Sequence, residues 1–439
     1  MAALDPKRYD INILENGGTV REFIDKKIDE LSLADCSEPF HVADLDDVYK
    51  KHLTWSENLP RVTPFYAVKC NTTPAVIRTL SALGTGFDCA SKAEIELVLS
   101  LGATPDRIIY AHTTKPEAHI KYARARGVHM MTFDNQDELT KIARCHPSAK
   151  LVLRITVDDS SSLRRLNLKF GARPAAAGGL LRRAGELGLD VVGVSFHVGC
   201  MCSDSRAYRR AIADARHVFN TAMGFQMSLL DIGGGFPGSD NFPLKFEEIA
   251  ECINVALDEF FPPDCGVQII AEPGRYFMET AFTLAVNVFA KTVTMEDAAE
   301  HNGKDAVLTM ETNENTSLSC LISWQLLKRC RSRERRYRSV IWGPTCDSMD
   351  RLTDSCLLPE LQVGEWLLMD ATGAYTLSVS SNFNGFERAT VFSVVTPETW
   401  RALILLLEQT LNTMNFYCPV LLILFCFCFL LLFNRFNCI

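Results

Sequence analysis

Through the first two thirds of the chain, short apolar runs of β type alternate with stretches in which apolar residues recur at helical spacing. Eight such runs stand out: Pro64–Val68, Thr85–Asp88, Arg107–Tyr110, Val128–Phe133, Lys150–Ile155, Val191–His197, Ser228–Ile232 and Gln268–Ala271. Between them lie segments rich in Ala, Leu and Glu, among them Ser91–Gly102, Gln136–Cys145, Ala175–Leu187 and Ser205–Ala222. A buried strand followed by an amphipathic helix is the unit of a parallel sheet, and eight successive units predict a (β/α)8 TIM barrel over residues 45–276.

After Tyr276 the texture changes to β-type runs at Thr283–Val293, Ala306–Thr312, Trp366–Met369 and Thr390–Val394, which predict a second, all-β domain over residues 277–400. Part of residues 8–44 is expected to join it, through the β-like stretch His41–Ala43. Arg329–Arg338 carries arginine at six of ten positions and reads as a solvated loop. Residues 401–439 form a separate tail whose segment 420–433 is almost wholly apolar. That segment is shorter than the roughly 20 residues that span a bilayer, so it reads either as a marginal tail anchor, the one route to a membrane, or as sequence foreign to the fold.

A length of 439 residues accommodates two folded units, and 47% hydrophobic with 22% charged residues describes a globular protein. The net charge of -8 argues against a nucleic-acid partner and leaves small-molecule chemistry. Met1–Asp10 lacks the basic and apolar regions of a signal peptide, which points to a cytoplasmic protein. The 16 cysteines show no paired metal-ligand spacing, and Cys200-Met201-Cys202 is too close-set for zinc, so no metal site and mostly free thiols are expected.

In a TIM barrel the reacting groups stand at the C-terminal ends of the strands. Here Lys69 ends the first run, Asp88 the second, Arg154 the fifth, His197 the sixth, Gly233-Gly234-Gly235 the seventh and Glu272 the eighth. One such residue is usually an ordinary polar strand end; six in phase are harder to explain that way. Together they suit pyridoxal 5'-phosphate. Lys69 follows Phe65-Tyr66-Ala67-Val68 and can form an imine with an aldehyde, whereas a surface lysine would lack that apolar lead-in. The glycine run after Asp231-Ile232 lets backbone N–H groups approach a phosphate, although such a run alone is usually just a turn. In Glu272-Pro273-Gly274-Arg275, the arginine adds a cationic fork for the phosphate and Glu272 can face a pyridine nitrogen. His197 offers a flat ring to stack on the cofactor.

These stretches, with Gly84–Glu94, Leu230–Gly238 and Trp342–Asp347, closely resemble eukaryotic ornithine decarboxylase and its inactive relatives, the antizyme inhibitors, over almost the whole chain up to about Trp400. The resemblance implies a head-to-tail homodimer with active sites shared across the interface. It assigns Lys69 to the Schiff base, Asp88 and Arg154 to the cofactor's surroundings, His197 to the ring and Glu272 to the pyridine nitrogen. Gly233, Gly234, Gly235, Gly274, Arg275 and Tyr375 are assigned to cofactor binding, chiefly at the phosphate, with Cys200 standing where the family usually has a serine. Cys346 and Asp347 would come from the other subunit, the thiol protonating the carbanion left by CO₂ and the carboxylate meeting the distal amine of a diamino acid. A buried small hydrophobe remains the commoner fate of a free cysteine. Lys169 and Asp350 match a pair that ties the subunits together, and Lys121 and Tyr122 fall where the family docks antizyme.

The main departure lies in Glu311–Cys330. Where the family has an Asn-Asp-Gly turn and then a Tyr-Asp-His triplet, this chain reads Glu311-Thr312-Asn313 and Ser323-Trp324-Gln325, without the second substrate-gripping carboxylate. Losing such a contact to a desolvated ammonium costs about 2–4 kcal/mol, roughly 30- to 1000-fold, and Glu314 does not replace it in register. Three readings follow: a decarboxylase of L-ornithine in polyamine biosynthesis, an antizyme-binding regulator without catalysis, or a decarboxylase of a more apolar amino acid.

Overall fold

The computed structural model describes residues 6–15, 17–297, 304–312, 326–328 and 335–406. Eight parallel strands, Val62–Ala67, Gly86–Cys89, Ile108–Tyr110, Met130–Phe133, Lys150–Arg154, Asp190–Ser195, Leu229–Asp231 and Gln268–Ala271, close into a barrel, the last pairing with the first. Each falls on one of the eight apolar runs, with ends moved by no more than two residues. Two of the helices between them begin at side-chain caps: Ser91 Oγ accepts the Glu94 N–H at 3.2 Å and Asn135 Oδ1 accepts the Glu138 N–H at 2.9 Å, contacts that stabilise a helix by about 1 kcal/mol each.

The barrel interior is filled rather than hollow. Phe65, Ile109, Val152 and Leu229, all from alternate strands, form an inner layer with Ile270. Gly86 and Gly193 make room for it, since a Cβ on Gly86 would meet the Phe65 ring at 2.6 Å and one on Gly193 would collide with Leu229. Ligand space is therefore pushed to the C-terminal rim.

The second unit is a nine-stranded sheet built around the long strand Phe282–Asp297. This strand pairs antiparallel with Phe40–Asp44, Lys304–Thr312 and Trp366–Met369. Phe40–Asp44 also runs parallel to Thr390–Val395, so a segment preceding the barrel joins two that follow it. The basic run is not wholly a loop. Its residues 329–334 lie outside the described residues, but Arg336 opens the strand Arg336–Trp342, in which Ser339 and Ile341 point inward and Arg336 and Arg338 outward. That outward spacing is what made the strand look like a solvated loop.

The two units meet at the first barrel strand. Asn71 Nδ2 donates to Gly373 O at 2.9 Å, and the Tyr375 N–H donates to Cys70 O at 3.0 Å, which fixes a loop of the β unit beside Lys69. Among the described residues no helix is long and apolar enough to cross a membrane; the apolar segment 420–433 lies outside them.

Candidate active site

A pocket of about 380 Å³ opens at the C-terminal rim and brings together Lys69, Asp88, His197, Cys200, Gly235, Glu272, Gly274, Arg275 and Tyr375. Lys69 sits in a single 3-10 turn after the first strand, and its Nζ is ion-paired with Asp88, buried at the end of the next. Burial alone would depress the Lys69 pKa, but the Asp88 carboxylate outweighs burial and holds the ammonium above its ordinary range.

At His197, burial pushes the pKa down to about 3, with Arg154 and Lys69 acting in the same direction, so the ring is neutral. Nδ1 accepts the Gly199 N–H at 3.0 Å, which leaves the ring proton on Nε2. Glu272 is raised well above a normal carboxyl by burial and by the charge of Asp231. Asp231 itself, fully buried, is pushed up to about 7 by burial, while hydrogen bonds from Gly233 and with Glu272 restrain it.

Gly233, Gly234 and Gly235 turn the chain tightly behind the pocket. Gly233 and Gly235 have φ of 66° and 104°, and a Cβ on Gly235 would collide with Gly199 O, so only glycine fits. Arg275 starts the helix Arg275–Met278; its guanidinium lies 5.6 Å from the Tyr375 ring and 3.3 Å from Glu279 Oε1, yet its Nε is buried without a partner. Arg154 Nε and Nη2 and Asp88 Oδ1 are likewise buried and unpartnered. Each such group left unpaired costs roughly 1–3 kcal/mol, and the unpartnered Arg275 N–H in the pocket lining suits an anionic polar ligand. At Cys200 burial raises the thiol, which therefore stands as a neutral, weak donor.

Arg154, Gly233 and Gly234 stand behind the lining, where Arg154 packs 5.2 Å from the Phe170 ring. Cys346 and Asp347 are not in this pocket: both are exposed, on the turn Gly343–Asp350 of the β unit. Lys169 lies over Phe170, and the Asp350 carboxylate accepts the Thr345 N–H at 3.0 Å. Ala67, Met201 and Phe236 also line the pocket, although their residue types mark no chemistry in the sequence, and Asp231 stands outside the lining, coupled to Glu272. Asp231 carried a usable signal, an acid closing a strand just before the glycine run; Met201, held at φ of 56°, carried none. Ser323-Trp324-Gln325 and Glu314 lie outside the described residues.

A lysine closing the first strand of a TIM barrel, with a glycine cradle, an arginine and a β-unit tyrosine around it, defines a barrel-type pyridoxal-phosphate enzyme. The fit is shown by this chain's own groups: an amine, an acid beside it, a flat neutral ring, and two guanidinium groups with N–H groups to spare. When bound, pyridoxal phosphate supplies an aldehyde for amines and a ring that withdraws electrons from the carbon losing CO₂.

Residues 45–279 match the model of the pyridoxal-dependent decarboxylase family, pyridoxal binding domain. The ornithine decarboxylase of Rattus norvegicus is 50% identical over 91% of this chain and 90% of its own length, and antizyme inhibitor 2 of Xenopus laevis is 47% identical over 94% and 93%. Among solved structures, the arginine decarboxylase of Paramecium bursaria Chlorella virus bound to agmatine superposes with a TM-score of 0.76 at 36% identity, covering 83% of this chain and 98% of that one. The lysine/ornithine decarboxylase of Vibrio vulnificus complexed with putrescine gives 0.73 at 30% identity, covering 87% and 99%. The chain belongs to the pyridoxal-dependent decarboxylases, in the branch that holds eukaryotic ornithine decarboxylases and antizyme inhibitors.

Proposed function

We propose that the protein decarboxylates L-ornithine to putrescine and CO₂, working in the cytoplasm as a homodimer. The observation that carries this reading is the Lys69–Asp88 ion pair, which shares one pocket with neutral His197 and with Glu272, in a chain half identical to ornithine decarboxylase. In it Lys69 bears the cofactor and Asp88 orients that amine. His197 covers one face of the ring without adding charge, Glu272 holds a proton at the ring nitrogen, and Arg275 with the glycine cradle holds the phosphate. What supports a homodimer is that Cys346 and Asp347, the residues the family brings from a second subunit, are exposed and do not line the pocket of their own chain. Leu168 and Met349, 80% and 77% exposed, supply apolar surface near Lys169 and Asp347 for such a contact. The test is CO₂ release from labelled ornithine together with a visible cofactor absorbance that is lost in Lys69→Ala; absence of both in the purified full chain defeats the reading.

A second reading has an observation of its own. The carboxylate expected at the Ser323-Trp324-Gln325 segment is missing, and the antizyme inhibitor of Xenopus laevis is nearly as similar as the enzyme. On this reading the outer face of the helix Glu117–Ala125, with exposed Lys121 and with half-buried Tyr122 flanked by Lys92 and Arg126 at 4.9 and 5.3 Å, docks antizyme and catalysis is lost. Tight antizyme binding without CO₂ release would favour it.

A further inference from the structure

The turn that carries Cys346 is held from two sides. From within, the Gly343 N–H donates to Asp350 O and the Thr345 N–H to Asp350 Oδ2, both at 3.0 Å, and the Met349 N–H to Asp347 Oδ1 at 2.9 Å. From outside there is, among the described residues, a single hydrogen bond, in which the Cys346 N–H donates to Asn384 Oδ1 at 2.9 Å. Asn384 belongs to a second exposed turn, Ser381–Phe386, where it adopts φ of 56°, a left-handed conformation that asparagine, aspartate and glycine tolerate and most residues do not. Its amide is thereby presented to the backbone of the one thiol-bearing residue of the neighbouring turn.

We propose that Asn384 is a positioning residue for Cys346, fixing the backbone of the turn so that the thiol delivers its proton to the α-carbon. The proposal rests on the decarboxylase reading above and deepens it. When CO₂ leaves, the electron pair left at the α-carbon takes the proton from Cys346 Sγ, and the resulting thiolate is reprotonated by water. Sγ hangs from a backbone whose only tie beyond its own turn, among the described residues, is the Asn384 amide. With that tie cut, the thiol wanders and water protonates the electron pair at another carbon of the conjugated system, so that hydrolysis gives an aldehyde in place of the amine for each such CO₂ released.

The test uses the full-length, cofactor-loaded protein and two variants that both tolerate positive φ. Asn384→Gly keeps the backbone and removes the acceptor; Asn384→Asp keeps both. The first measurement is the alkylation rate of Cys346 by iodoacetamide, followed by peptide mass mapping, and it needs no catalytic activity. The glycine variant is expected to change this rate by about 2- to 10-fold, the span of one hydrogen bond, and the aspartate variant to restore it. The second is the ratio of amine formed to CO₂ released from ornithine, expected to fall below that of the parent in the glycine variant with KM unchanged and to recover in the aspartate variant. An unchanged alkylation rate in Asn384→Gly overturns the proposal, as does an unchanged ratio. If the parent releases no CO₂, the decarboxylase reading has failed, and the alkylation rate alone decides whether Asn384 positions the turn.

Discussion

Asp231 and Glu272 close neighbouring barrel strands, which pair in parallel through Asp231 and Ile270, and their carboxyls act on one another in a buried site. Burial is the largest cause of the raised pKa at both, and the charge of Asp231 raises Glu272 further, whereas Asp231 is restrained at about 7 by the Gly233 N–H and by Glu272. The pair is thus arranged with a proton on Glu272, facing the pocket, and the readier negative charge on Asp231 behind it.

This arrangement predicts that the cofactor-free protein holds a protonated carboxyl at neutral pH. Difference infrared spectroscopy should show its C=O stretch, and Glu272→Gln should remove the band. In Asp231→Asn the charge that raises Glu272 is gone, so the band should titrate away at a lower pH than in the parent. A spectrum with no such band at neutral pH would place the proton elsewhere.

The Lys69–Asp88 pair gives a prediction of opposite sign. Asp88 is the principal group holding the Lys69 ammonium above its ordinary range, and burial works against it. Asp88→Asn should therefore lower the Lys69 pKa, leaving more neutral amine at a given pH. Because only the neutral amine attacks an aldehyde, the pH at which cofactor-free protein reloads pyridoxal phosphate fastest should move down in the variant. Stopped-flow absorbance across a pH series measures this; an upward shift or none contradicts the account.

The barrel was legible because its strands are buried on both faces, so runs such as Val191–His197 and Lys150–Ile155 read as nearly unbroken apolar segments. Most of the pocket was legible for the same reason, since barrel topology puts strand-end residues such as Lys69, Asp88 and Glu272 on one rim. What was hidden depends on contacts between distant residues or on very short elements. The strands Ser162–Arg164 and Cys200–Cys202, which pair antiparallel beside the pocket, are three residues each, too short for any period to show. Arg336–Trp342 was masked by its outward arginines, and the bond from Cys346 to Asn384 joins positions 38 residues apart with nothing in either turn to announce it.

His41, in the strand Phe40–Asp44, is fully buried against Phe282 with both ring nitrogens unpartnered, and burial pushes its pKa down from 6.5 to about 3. Its folded pKa lies below the unfolded one, so the folded state binds fewer protons. The stability this residue contributes is fully present above about 6.5 and is lost as pH falls from there towards about 3, by up to roughly 1.4 kcal/mol per unit. His41→Phe removes both the unpaired nitrogens and the titration. Thermal unfolding should show a higher Tm than the parent at pH 5 and a smaller gap at pH 7.5; equal acid sensitivity in the two proteins would rule His41 out as its source.

The segment Ser323-Trp324-Gln325 lies outside the described residues and stands, on the resemblance to ornithine decarboxylases, where that family has an aspartate between tyrosine and histidine. On the proposed decarboxylase reading Asp347 is the single family-matched carboxylate for a distal ammonium, so ornithine would be held by one charge instead of two, and an indole offers an ammonium no acceptor of comparable strength. Trp324→Asp should therefore raise kcat/KM for ornithine by roughly 30- to 1000-fold, the worth of one charge-assisted contact to a desolvated cation. It should also depress turnover of any apolar amino acid that the parent accepts, because a carboxylate left facing a methyl group is an unpaired buried charge. A substrate panel run on both proteins checks both directions at once. If ornithine turnover is strong in the parent and unchanged in the variant, position 324 does not face the distal amine, and another group in this chain already fills that role.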